Sequence, residues 1–521
     1  MEDVNTSSNS QAWKNLFQHH EDNVDLSLIE RFNANPERGD QLSFSCGDLW
    51  VDVSKQSIDA QTTELLFQLA QERGVNDFFH SMSKGDVVNL SEEEAALHIS
   101  LRNPLPPEIV EKNLERMREL HEKLKNGHLV GSSGKQIRSV VNLGIGGSHL
   151  GSFMAFEALK DYGNPELEVR WSSGLDIADL DDALMGLDPE QTIVIVCSKT
   201  FSTFETLSAA RRTQNWFLEG GVSNFSSQMF AATSALENAI AFGIEAENIF
   251  SFSSSIGGRF SLASPISLGL MLSIGYQHFD EMLQGMHLID ADVLANDKSV
   301  PVLLGLIDVW NRSVLGANSL AVVPYSYRLR EFSSYLQQLM MESLGKSISS
   351  TGESIEIETG MAVWGASGTD AQHSFFQALH QGTETMPIDL IGFARLSDTA
   401  NDEIIANLIA QAQSLAFGQD LKEDSDSFSA YETLPGSRPS TVILAPELSP
   451  NILGQLIALY EHRTVATGVV WGINPFDQWG VEYGKKSALK IINELKNSEV
   501  SSNHDSSTKS LITRYMHWRN D

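Results

Sequence analysis

Ser198, Lys199, Thr200, Ser202 and Thr203 place five donor side chains within six residues, a density of hydroxyl and ammonium groups that suits an anion. They follow Ile193, Val194, Ile195 and Val196, a β-branched run with the composition of a strand buried on both faces of a parallel sheet. A helical pattern with Leu207, Ala210 and Phe217 on one face comes next. Such a strand-to-helix turn leaves backbone N–H groups free at a helix start, where the dipole adds positive potential. Serine and threonine also cap helices that bind nothing. The position at the carboxyl end of a buried strand, where open α/β sheets take their ligands, favours a phosphate.

Five other stretches carry reactive residue types. NLGIGGSHLGS, from Asn142, is a glycine-rich turn, but His149 stands where the third glycine of a dinucleotide fingerprint belongs. Gly147 and Ser148 can still meet a phosphate or sugar, and a tight turn without ligand explains the glycines equally well. In SSSIGGRFS, Arg259 is either an oxyanion stabiliser or an ordinary salt-bridged arginine. Glu342 in MESLGKS sits among Leu339, Met340, Met341 and Leu344, an apolar setting that suits a general base, although most single glutamates are surface residues. His373 and His380 are seven residues apart, two helical turns, which predicts a shared face; His373, nearer the strand end, is the better acid/base candidate. Lys485 falls within a late helix for which Asp477 is the expected cap.

These residues need a frame. At 521 residues the chain should form two or more domains. Its 36 Lys and Arg against 68 Asp and Glu, a formal charge of -32, argue against nucleic acid or an anionic membrane as partner. An anionic substrate must therefore meet local positive charge. Cys46 and Cys197 are far apart and predict reduced thiols in a cytoplasmic setting. The first residues show no signal peptide, no apolar run reaches about 18 residues, and no zinc or EF-hand spacing occurs, so neither a membrane span nor a metal is expected.

Residues 1–130 read as a mainly helical segment packing on the body, with LWVDVS at Leu49 as a half-exposed strand. Over 131–310 five strands alternate with helices, at Val140 to Leu143, Val169 to Trp171, Ile193 to Val196, Gln228 to Ala231 and Ile249 to Phe252. Over 311–475 a second series has strands at Leu320 to Val323, Ala362 to Trp364, Asp389 to Ala394 and Val442 to Ala445, with an acidic surface loop at 419–440. Residues 476–521 form a helical tail. Two doubly wound, mainly parallel α/β sheets are expected, with helical extensions at both ends.

Five segments together resemble the glucose-6-phosphate isomerase family: Ser198-Lys199-Thr200-Phe201, the GGR at Gly257 to Arg259, MESxGK around Glu342, GTxxQH at Gly368 to His373, and FDQWGVExGK at Phe476 to Lys485. The resemblance implies two sugar-isomerase (SIS) domains and reversible aldose–ketose isomerisation of glucose 6-phosphate and fructose 6-phosphate through an enediolate, with no cofactor. It implies that Glu342 is the base, that His373 and Lys485 assist ring opening, and that Arg259 stabilises the enediolate. Ser198, Lys199, Thr200 and Thr203, with Gly147 and Ser148, match the phosphate cradle, and Gln338 and Gln478 match substrate contacts. A cytoplasmic homodimer is implied too, with the equivalent of His373 reaching in from the neighbouring subunit.

The chain departs from the family pattern around these residues. Glu93-Glu94 replace a Gly-Arg pair, His149 an Asp, Leu344 an Asn, and Ser253 to Ser255 a tryptophan-containing stretch. Ala366 and Ser367 replace Glu and Pro, and Asp370 and Ala371 replace Asn and Gly. Two competitors remain: a phosphosugar sensor that does not turn its ligand over, and a nicotinamide-dependent oxidoreductase, which His149 disfavours.

Overall fold

The β-branched run ending at Cys197 has no face that tolerates water, and in the folded chain every residue of that strand is buried. A computed structural model describes residues 10–23, 26–395, 401–419 and 430–520, which fall into two compact units divided between Pro475 and Phe476. The first nine residues, read above for a signal peptide, and residues 420–429 of the acidic segment lie outside the described residues.

In the first unit the amino-terminal part is mainly helical, and its starts follow from local sequence. Ser27 and Glu30 form a capping box for the helix Leu28–Ala34. Asp59 caps Ala60–Glu72 by accepting from the Thr62 N–H at 2.8 Å. Two antiparallel pairs interrupt the helices: β1 (Ser43–Cys46) with β2 (Leu49–Asp52), and β3 (Val87–Asn89) with β4 (Glu94–Ala95). β2 alternates as its sequence predicts, Leu49 and Val51 inward and Trp50 outward.

The first parallel sheet comprises β5 (Ser139–Leu143), β6 (Glu168–Ser172), β7 (Thr192–Cys197), β8 (Met229–Thr233) and β9 (Ile249–Ser251). Their order is β6-β5-β7-β8-β9, all parallel, so the chain moves outward from β5 to β6 and returns on the other side to β7. The switch point therefore lies between β5 and β7, where a doubly wound sheet opens a crevice at its carboxyl edge. Leu143 pairs with Val196, so the glycine turn and the Ser198 turn leave the sheet side by side. Val194, Val196 and Phe217 anchor the core beneath, each buried side chain contributing about 1.5–3 kcal/mol.

The second sheet contains β10 (Ser319–Pro324), β11 (Ala362–Trp364), β12 (Ile388–Arg395) and β13 (Ser440–Glu447) in the parallel order β11-β10-β12-β13. β2 pairs antiparallel with β13, Val51 opposite Ile443, and β1 completes the edge. The expected architecture of two mainly parallel sheets with helical extensions is thus present.

A 22-residue helix, Pro450–Trp471, is buried along nearly its whole length, Glu461, His462 and Arg463 included. Pairing makes these charges tolerable. Arg463 grips Asp308 at 2.7 and 2.6 Å and reaches Asp389 at 2.6 Å. Arg102 holds Asp290 at 2.7 Å and Glu461 at 2.5 Å, tying the amino-terminal part to this helix. Deleting one partner would strand a buried charge, at a cost of about 3–5 kcal/mol. The helix stops at Gly472, φ 71°, and delivers Asn474 and Pro475 beside Arg259.

The second unit is a pair of helices, Trp479–Asn497 and Ser506–Asn520. His504 Nε2 lies 2.9 Å from Glu494 Oε2 across the turn, and Asp505 accepts from the Thr508 N–H at 3.0 Å. The first helix begins one residue later than expected: Gln478, not Asp477, is the N-cap, and its side chain does not cap.

Candidate active site

The turn after Ser198 has its backbone pinned and its donors left open. The Lys199 carbonyl accepts from Thr233 Oγ1 at 2.9 Å, Ser234 Oγ at 2.7 Å and the Ser234 N–H at 2.9 Å, which fastens the turn to the end of β8. Phe201 takes φ 46°, a left-handed conformation costing about 1–3 kcal/mol in a non-glycine residue. Its ring, buried against Phe242 at 5.7 Å between centroids, offsets that strain. Ser198 Oγ lies 3.2 Å from Thr203 Oγ1, and Thr200 Oγ1 2.8 Å from Ser202 Oγ. The Lys199 ammonium makes no hydrogen bond among the described residues. Burial pushes its pKa down, Glu92 and Glu94 oppose that, and Arg259 adds to it. These four charged groups therefore share one neighbourhood.

The glycine turn is the hinge of the site. A Cβ on Gly147 would collide with the Gly258 carbonyl group and the Arg259 nitrogen, so the GGR turn can pass only over glycine. Ser261 Oγ donates to the Gly147 carbonyl at 3.2 Å, holding the two turns together. Gly146 has φ 58° and lies against Gln338. The Ser148 hydroxyl is partly exposed and has no partner among the described residues. His149 adds no charge here: it stacks on Phe153 at 5.0 Å, and burial pushes its pKa down to about 4, leaving it neutral near pH 7.

Arg259 and Glu342 form the centre. The Arg259 side chain is fully buried and that of Glu342 is 22% exposed. Nη1 donates to Glu342 Oε1 at 2.9 Å, Nε to Ser343 Oγ at 2.6 Å and Nη2 to the Pro475 carbonyl at 2.7 Å. Gln338 Nε2 donates to Glu342 Oε2 at 2.9 Å across a π-helical turn, Gln337–Glu342, a distortion that recurs at functional sites. The apolar surroundings expected for Glu342 are only half present. Leu339, Met340 and Leu344 turn into the core, while the carboxylate faces a guanidinium and an amide. A partly open carboxylate beside a fixed guanidinium can remove a proton next to a carbonyl and hold the negative charge that results.

The remaining candidates are His373, in the first unit, and Gln478 and Lys485, in the second. His373 ends the short helix Gly368–Gln372, is exposed, and has no side-chain hydrogen bond among the described residues. The shared face predicted for His373 and His380 is absent, because the chain turns at Ser374 and Phe375 before a new helix, Phe376–Gln381. Phe375 packs on Trp364 at 4.6 Å in that turn, and His380 Nε2 instead meets Gln411 Oε1 at 2.9 Å. Gln478 and Lys485 belong to the second unit, where Lys485 Nζ pairs with Glu482 at 2.8 Å. Ser343 and the Pro475 carbonyl escaped sequence reasoning. Ser343 could have been suspected from its place beside Glu342, whereas a backbone carbonyl leaves no sequence signal.

Departures from the family pattern meet one another in space. Glu94 accepts from Ser254 Oγ at 3.1 Å and from Ser255 Oγ, so two replacements distant in sequence form one contact. Ser367 Oγ donates to Asp370 Oδ2 at 2.6 Å, joining two more. Glu93 keeps φ 55°, the backbone shape that its usual glycine would favour.

Among the described residues no group of three His, Cys, Asp or Glu side chains is placed to hold a metal, and no helix is long and apolar enough to cross a membrane. Comparison with known proteins is consistent along the chain. A family profile described as phosphoglucose isomerase matches residues 52–512. Glucose-6-phosphate isomerase 3 of Rhodococcus jostii (strain RHA1) is 42% identical over 534 aligned positions, covering 97% of each chain. The glucose-6-phosphate isomerase of Nitrosospira multiformis is 40% identical, again over 97% of each. The crystal structure of a glucose-6-phosphate isomerase from Chlamydia trachomatis superimposes with a TM-score of 0.86 at 30% identity, covering 98% of this chain and 99% of that one.

Proposed function

The chain belongs to the phosphoglucose isomerase family and has glucose-6-phosphate isomerase activity, and we propose that it acts through an enediolate formed over Glu342. The observation that carries the reading is the contact between Arg259 Nη1 and Glu342 Oε1 at 2.9 Å, which sets a proton acceptor beside a fixed positive group. Ring opening moves the O1 proton to O5, a transfer in which His373 and Lys485 assist. Glu342 then takes the proton from C2 and returns it to C1. Charge builds on the enediolate oxygens, Arg259 faces it, and a proton passes between O2 and O1 to leave the ketose. The balance needs no oxidant. Ser148, Ser198, Lys199, Thr200 and Thr203, with the Gly147 backbone, hold the phosphate, and its binding energy orients the carbons over the base. Gln338 and Gln478 complete the substrate contacts.

The active form in this proposal is a cytoplasmic homodimer with shared sites. Exposed His373, uncommitted among the described residues, supports the sharing. Cys46 and Cys197 support a reducing compartment, since both are free and buried, with thiols pushed up to about 12 by burial. The decisive comparison is wild type against Glu342→Gln in a coupled assay that follows glucose 6-phosphate formed from fructose 6-phosphate. Wild type should turn over, and the variant should still bind while losing about 10²–10⁴-fold in kcat. A wild-type protein that binds fructose 6-phosphate without converting it would overturn the reading and leave a sensor.

A further inference from the structure

We infer that Asn474 is a positioning residue for Arg259, acting through the carbonyl of Pro475 without touching substrate; the inference rests on Arg259 being the group that faces the enediolate. Each of the three guanidinium nitrogens of Arg259 has an acceptor. Two of these, Glu342 and Ser343, are consecutive side chains on one helical end. The third, the Pro475 carbonyl at 2.7 Å from Nη2, comes from the segment after Gly472, where the long helix has already ended. A loop carbonyl orients a guanidinium only if its own segment is held.

Asn474 does that holding. Its side chain is buried, and Nδ2 donates to Asn89 Oδ1 at 2.8 Å and to Ser91 Oγ at 2.9 Å. Its backbone carbonyl accepts from Lys346 Nζ. Asn89 is fixed in turn, donating to Glu92 Oε2 at 2.6 Å. Because a proline follows, the backbone of Asn474 is confined to extended conformations, so a displaced Asn474 carries the Pro475 carbonyl with it. Asn89 of the β3–β4 segment, 385 residues away in sequence from Asn474, thereby braces the group that meets the developing charge.

A double-mutant cycle on the full chain tests this, using Asn474→Ala with Arg259→Ala and fructose 6-phosphate as substrate. Asn474→Ala should lower kcat about 10- to 100-fold with KM within about threefold, the scale expected when a reacting group is misplaced by about an ångström. In the Arg259→Ala background the same change should alter kcat by no more than about twofold, because residues acting as one unit are not additive. Asn89→Ala removes the acceptor from outside the segment and should reproduce the pattern if Asn474→Ala does not fold. Parental kcat in both Asn474→Ala and Asn89→Ala overturns the inference, as does a loss undiminished when Arg259 is absent. Parental kcat in Arg259→Ala alone would instead defeat the role given to Arg259, and the cycle reports that separately.

Discussion

Around Arg259 and Glu342, both carboxylate oxygens and all three guanidinium nitrogens are bonded to protein before any substrate arrives. Around Lys199 and Ser148 the ammonium and the hydroxyl have no hydrogen-bond partner among the described residues, and only the backbone beneath them is pinned. On the roles proposed above, the difference follows from what each region would meet. Charge on an enediolate exists only during the reaction, so the groups that stabilise it work best when already fixed and needing no reorganisation. A phosphate brings its charge with it, and donors that must accept it are useful when vacant and mounted on a rigid turn.

Breaking the fixed half should cost the most. Arg259→Ala is expected to reduce kcat about 10²–10³-fold with a small change in KM, the range seen when one transition-state donor is removed. Steady-state kinetics on fructose 6-phosphate checks it. A loss expressed mainly in KM would mean that Arg259 binds ground-state substrate, and the contrast between the two regions would fall.

Breaking the vacant half should act on binding. Lys199→Gln should raise KM about tenfold or more while sparing kcat at saturation, because a charge-assisted hydrogen bond of about 1.5–3 kcal/mol is lost. The same lysine predicts a pH dependence. Burial lowers its pKa, so the ammonium loses its charge earlier than a free lysine would as pH rises. KM should therefore climb in the alkaline range, and Lys199→Arg should flatten that climb, since a guanidinium keeps its proton. An alkaline profile identical in both proteins would assign the titration elsewhere.

The smallest effect concerns Glu94. Its carboxylate, held by Ser254 and Ser255, acts on Lys199 together with Glu92, and on the proposed phosphate site it would oppose an incoming dianion. Glu94→Gln should lower KM about two- to fivefold near pH 7, the scale of a partly screened charge. It should also bring the alkaline rise in KM to lower pH, because Lys199 loses a neighbour that helps keep it protonated. A raised KM near neutrality would show that Glu94 shapes the site and does not weaken its field.

The amino-acid sequence determined what depends on local order: buried strands from β-branched runs, helix starts such as Ser27 and Asp59, and the donors of the Ser198 turn at a strand's carboxyl end. These are legible because side-chain periodicity, capping and turn chemistry act over a few residues. Tertiary structure alone decided which distant pieces meet. β2 pairs with β13, Ser343 and the Pro475 carbonyl close around Arg259, and Glu94 finds Ser254 and Ser255. It also overruled two local expectations, ending a helix at His373 that spacing would have continued to His380, and passing the cap from Asp477 to Gln478. Contacts of that kind depend on how whole elements pack, and packing energy is shared among residues that no short window of sequence contains.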